Sequence, residues 1–118
     1  MSPKDQQAVL RDFVRDWVDT HFDRQVAFLA ELVKVPSDNP PGDCAPHARR
    51  TASLLAGLGL AADAHVVPEA TVRAAGMISA INLIVLERFG RSGPCIALNA
   101  HGDVVPPGSG WSHDPYGA

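Results

Sequence analysis

The chain has 118 residues, 46% of them hydrophobic, and a formal net charge of −3. That length suits one small domain, and the hydrophobic content excludes a disordered chain. Acidic and basic residues are interspersed, which excludes a basic nucleic-acid face and an acidic tail, so no nucleic-acid partner is expected. No apolar run approaches the ~20 residues that span a bilayer, so no membrane partner is expected either. The opening MSPKDQQAVLRDF lacks the charged-then-apolar pattern of a signal peptide. Cys44 and Cys95 lie far apart and make no disulfide framework, and a cytoplasmic location is the resulting expectation.

In chain order, Leu10, Phe13, Val14, Trp17 and Val18 form a helical stripe that resumes as Phe22, Val26, Leu29, Leu32 and Val33. Thr20 followed by Asp23 resembles a weak capping box, which allows two helices or one bent one. Pro36 ends the stripe, because a residue before proline is pushed out of the helical region. PSDNPPGD, Pro36 to Asp43, reads as a loop. The next helix fits Cys44 to Leu58, with Asp43 as a candidate cap, Pro46 in the first turn, and Gly59 placed to end it. Ala48, Ala52, Leu55 and Leu58 are its expected buried side.

The period then changes. AHVVP reads as a short strand, most of Met77 to Phe89 as a second, and Cys95 to Ala100 as a third, the last two joined by a turn through Gly90 to Gly93. His101 should sit at or just past the end of that third strand. The expected fold class is α/β, helices followed by strands of a mixed sheet, with one sheet edge unfilled.

LNAHGDVVPPGSGW, Leu98 to Trp111, carries the chemistry. His-x-Asp alone is a weak signal, since most such pairs never touch a metal. Its setting strengthens it. In extended backbone residues two apart point to the same side, so His101 and Asp103 can act together. A metal-bound histidine commonly gives its second ring N–H to a carboxylate, which fixes its tautomer and raises its basicity, and neutral imidazole is among the commonest zinc ligands. Gly102 leaves room for close backbone approach.

With that setting, AHGDVVPPGSGWSHDPY resembles the His-x-Asp-x-Val-Pro…Trp-x-x-Asp-Pro-aromatic segment of the co-catalytic zinc peptidases and deacylases, the family of acetylornithine deacetylase, succinyl-diaminopimelate desuccinylase, aminoacylase and carboxypeptidase G. VPSDNPPGD resembles that family's loop after its first helix, and INLIVLERFGRSGPCIALNAHGD its strand-turn-strand approach to the metal. The three segments follow one another in the family's order over nearly the whole chain.

The resemblance implies that His101 binds one of two zinc ions and that Asp103, a catalytic residue, orients its imidazole. Cobalt or manganese can occupy similar sites. The Pro-Gly loop and Trp111 to Tyr116 would be scaffold for the metal loop. The bridging aspartate, the glutamate general base and the other ligands come later in that family, so residues 1–118 are expected to be the N-terminal portion of a metallohydrolase catalytic domain, inactive and poorly soluble alone. The implied substrates are small N-acyl amino acids or dipeptides, and the implied assembly is a homodimer through a domain not contained in this sequence.

The other candidates have plainer readings. His113 is a solvent-facing loop histidine, His21 and His47 occupy exposed helix faces, and His65 lies on the wet side of its strand. Cys95 is expected in a buried strand as a small hydrophobe. Cys44, near a helix N-terminus, could have a lowered pKa but has no histidine base beside it. Two functions stand: a zinc-dependent amide hydrolase, or a non-catalytic binding or assembly protein that keeps the fold.

Overall fold

A computed structural model describes all residues, 1–118. The chain divides into two compact units, Met1–Glu31 and Leu32–Ala118.

The first unit holds helix α1, Pro3–Thr20, and most of helix α2, Phe22–Val33. Ser2 and Asp5 start α1 as a capping box: the Ser2 hydroxyl accepts the Asp5 N–H at 3.2 Å and the Asp5 carboxylate accepts the Ser2 N–H at 2.9 Å. Pro3 at the first helical position loses nothing, because its missing N–H would have no partner there. The stripe is therefore two helices. Its break lies at His21, whose backbone N–H and ring Nδ1 both turn back onto the Trp17 carbonyl, the ring at 2.7 Å, while the ring stacks on the Trp17 indole at 4.2 Å between centroids. Leu10, Phe13, Val14, Trp17, Val18, Phe22, Val26 and Leu29 are all exposed.

The second unit contains helix α3, Ala45–Gly57, strand β1, Ala62–Val66, helix α4, Glu69–Ala74, and strand β2, Ile81–Val85. The fold class is α/β, as expected. The sheet, however, is two-stranded and antiparallel rather than mixed, with Ala62 opposite Val85 and Val66 opposite Ile81. Along β2 burial alternates with the strand period: Ile81, Leu83 and Val85 are half-buried, while Asn82 and Ile84 are exposed. Helix α3 packs on both strands. Its Ala48, Ala52 and Leu55 are half-buried, but Leu58, expected on that side, is exposed beyond the helix end. Ala45 and Val72 are the buried apolar side chains.

Two expectations need correction, and one element was unforeseen. Cys95 to Ala100 is not a strand, and the predicted hairpin through Gly90–Gly93 does not form. β2 pairs with β1 along one edge and its other edge takes no strand, so that apolar run has no ladder partner; Ile96, Leu98 and Cys95 are exposed. A run with strand composition becomes a strand only where another backbone supplies its hydrogen bonds. Helix α4, its first turn carrying Glu69 paired with Arg73, was not anticipated. Finally, Asp43 does not cap α3. Ser79, distant in sequence, does so: its hydroxyl accepts the Ala45 N–H at 2.9 Å and donates to the Asp43 carboxylate.

Around this cap the backbone of the loop after Pro36 is clasped to the approach to β2. Cys44 N–H bonds to the Ser79 carbonyl, and the Ile78 and Ser79 N–H groups both reach the Gly42 carbonyl. Gly42 has φ +76°, and a Cβ there would lie 2.8 Å from Met77 Cγ. No helix is long and apolar enough to cross a membrane.

Candidate metal-ligand loop

The loop that begins at Pro36 also grips the His101 segment. Asn39 N–H bonds to the Val104 carbonyl at 2.8 Å and Val104 N–H to the Ser37 carbonyl at 3.1 Å, a parallel bridge across Asp38 and Val104. The buried Ser37 hydroxyl donates to the Gly102 carbonyl at 2.7 Å. Residues some 65 positions apart are thereby fixed side by side. Helix α3 adds a lid over the backbone: a Cβ on Gly102 would meet the His47 ring at 3.1 Å, so glycine is what lets these elements approach. His47, expected on an exposed helix face, is half-buried, and burial lowers its pKa.

His101 and Asp103 do meet. The ring Nδ1 lies 2.9 Å from the Asp103 backbone carbonyl oxygen and 3.3 Å from its Oδ1. Both are acceptors, so a neutral ring satisfies them by carrying its proton on Nδ1, which leaves the Nε2 lone pair free. The imidazole is 85% exposed, so Nε2 is open to a ligand from outside. The other carboxylate oxygen, Oδ2, accepts the Asn39 side-chain amide at 3.1 Å. That amide, more than the adjacent His101 ring, holds the Asp103 carboxyl below the usual carboxylate range, against the opposing effect of burial.

These residues fit zinc in kind but not in number. One imidazole with its carboxylate support has the chemistry of a first ligand, yet no group of three or more histidine, cysteine, aspartate or glutamate side chains is placed to hold a metal ion. A catalytic zinc site needs about three protein ligands and an open position.

Cys44 is no nucleophile here. Burial and the nearby Asp103, Asp43 and Asp38 carboxylates push its thiol up, and its Sγ rests 3.7 Å from the Ser37 carbonyl. The lowered pKa suggested by its helix N-terminal position is overridden. His113 and His65 are exposed, as expected.

The chain from Trp111 to Tyr116 bears on the same loop at one point. The Tyr116 hydroxyl donates to both oxygens of Asp38 at 2.5 Å, while the Trp111 ring N–H bonds within its own loop to the Pro107 carbonyl. The Asp38 carboxylate favours the neutral phenol and pushes the Tyr116 pKa up to about 12. A raised folded pKa on an acid means that the contact supports the fold fully below about pH 10, the ordinary tyrosine value, and is lost as the pH climbs toward 12. Tyr116 is the chain's single tyrosine, so phenolate absorbance reports it alone. A titration midpoint near 12 in the parent is expected, falling toward 10 in Asp38→Asn; a parent midpoint near 10 would contradict the contact.

Sequence reasoning singled out His101 and Asp103 and missed Ser37, Asn39 and the Gly102–His47 contact. Ser37 and Asn39 lie in the loop that resembles the family's, and Gly102 was expected to admit close approach, but local pattern names no partner for any of them.

No family model matches the chain, and no solved structure matches it. Several curated proteins do. A succinyl-diaminopimelate desuccinylase of Methylobacterium sp. is 38% identical over 93 residues, 77% of this chain and 21% of that protein. Those of Gluconobacter oxydans and Methylobacterium nodulans are 52% identical over 31 residues and 56% over 32, each 8% of the relative. The match thus spans about a fifth or less of these relatives' length. Their names support kinship with hydrolases of the deacylase and peptidase kind.

Proposed function

We propose, on that kinship, that the chain supplies the His101 ligand of a zinc-dependent amide hydrolase acting on small N-acyl amino acids, with a succinyl acyl group favoured by the relatives' names and dipeptides as the lesser alternative. Residues 1–118 would be the N-terminal portion of its catalytic domain, inactive by themselves. The observation that carries this reading is the His101–Asp103 pair: a ring whose Nδ1 is engaged, whose Nε2 is open, and whose supporting carboxylate is tied to a second loop.

Within that reading each residue has a task. His101 would hold the metal through Nε2. Asp103 would fix the ring's tautomer and direction and raise its basicity. Ser37 and Val104 would keep the loop from shifting along its neighbour. Bound zinc supplies Lewis acidity toward an amide carbonyl and makes a nearby water more acidic; cobalt or manganese could substitute. A homodimeric assembly and a cytoplasmic location complete the proposal.

The test is a panel of N-acyl amino acids and dipeptides offered to the whole protein with and without a chelator. Succinyl release that the chelator abolishes is expected. No hydrolysis of any member, with zinc present, would favour the non-catalytic alternative.

A further inference from the structure

The Asp103 carboxylate has two oxygens with different tasks. Oδ1 faces the His101 ring at 3.3 Å, and Oδ2 accepts the Asn39 amide at 3.1 Å. Asn39 is itself fixed by its backbone N–H on the Val104 carbonyl at 2.8 Å, and its own amide oxygen lies beside the space where a Gly42 Cβ would stand. A carboxylate only accepts hydrogen bonds, so the amide must present its NH₂ group to Asp103. The carboxylate is thus held at one end by a donor whose backbone is bonded to the same segment, and its remaining oxygen is turned to the ring.

We propose that Asn39 is a positioning residue for the metal-ligand histidine, acting on His101 only through the Asp103 carboxylate. This rests on the assignment of His101 and Asp103 above. Ser37 holds the same segment, but through the Gly102 backbone carbonyl, and so fixes the loop's place rather than the carboxylate's rotation. Without the Asn39 amide, a 40%-exposed carboxylate would be free to rotate into water and leave the ring with the Asp103 backbone carbonyl alone.

A metal-free experiment reads this directly. The protein is labelled with nitrogen-15 in its histidine rings and examined by solid-state NMR, which tolerates association, at a pH well above the ordinary histidine value of about 6.5. The His101 signal is assigned by its loss in His101→Gln. Asp103→Ala is expected to displace the Nδ1 resonance, Asn39→Ala to displace it in the same direction, and the double variant to match Asp103→Ala alone. Such non-additivity is the mark of a shared route. Glu69→Gln, on helix α4, serves as the control and should leave the resonance near the parent value. An Asn39→Ala resonance at the parent position, or a double variant displaced by the sum of the singles, would overturn the proposal. Protection of the Val104 amide, bonded to Ser37, shows whether the loop is intact; if Asn39→Ala loses it, Asn39→Leu takes its place. If that also fails, solvent exchange of the Asn39 amide protons decides: exchange as fast in the parent as in Asp103→Ala would overturn the proposal. The acyl-amino-acid panel can fail without altering any of these signals, so a wrong reading of the reaction is distinguishable from a wrong reading of Asn39.

Discussion

Asp103→Asn in the whole protein is expected to lower metal affinity or turnover by about 10–100-fold, the usual cost of altering the group that supports a metal-bound histidine. The substitution keeps size and shape but removes the charge facing Nδ1 at 3.3 Å. The effect should fall toward the lower end of that range. The ring also rests on the Asp103 backbone carbonyl at 2.9 Å, which asparagine keeps, so its tautomer survives while the added basicity does not. The asparagine side chain must also choose which end to offer Asn39, since two amide NH₂ groups cannot bond to each other. Steady-state kinetics and zinc titration of the variant check this; parent-like values for both would remove Asp103 from the account.

Gly42→Ala carries the largest expected cost in stability. Left-handed backbone costs a residue with a Cβ roughly 1–2 kcal/mol. At φ +76° the new methyl would also lie 2.8 Å from Met77 Cγ and 2.9 Å from Met77 Cβ, too close to stand without movement. Overpacking of this kind typically adds roughly 1–3 kcal/mol. Together these give roughly 2–5 kcal/mol, a large part of a small domain's stability. The same methyl would press on Asn39 Oδ1 at 3.1 Å, so the damage should spread to the loop that holds Asp103. Urea denaturation measures the loss. Adding Met77→Gly, which removes both clashing atoms where alanine would keep the Cβ at 2.9 Å, should recover the steric part but not the backbone part, measured against Met77→Gly alone. A Gly42→Ala protein within about 0.5 kcal/mol of the parent, the range of an ordinary surface change, would show that the clasp does not hold the loop in this conformation.

The helices were legible because their signals are local. The apolar stripe up to Val33, the proline-rich stop at Pro36 and the Gly59 end of α3 need only neighbours along the chain. β2 was legible from its Ile, Leu and Val content, but its partner was not. Composition calls Cys95 to Ala100 a strand as strongly as it does Ile81 to Val85, and only the second finds a ladder. Helix α4 could have been found: a proline, then Glu69, Arg73 four residues on, and Gly76 beyond the end follow helix start and stop signals. The Ser79 cap could not have been, because it joins residues 34 apart. The site divides the same way. His101 and Asp103 meet because they are two apart in the chain, and a pattern can show that. Ser37, Asn39, His47 and Tyr116 reach the site from elsewhere in the chain, and their parts depend on folding that no spacing encodes.

The reading as a whole turns on His101 as a metal ligand in an amide hydrolase. The measurement that tests it most directly compares parent and His101→Ala whole protein for release of succinate from an N-succinyl amino acid, with zinc supplied and then with a chelator. The account predicts zinc-dependent release in the parent, its abolition by chelator, and its loss in His101→Ala even at high zinc. Chelator-sensitive release that persists unchanged in His101→Ala would contradict it.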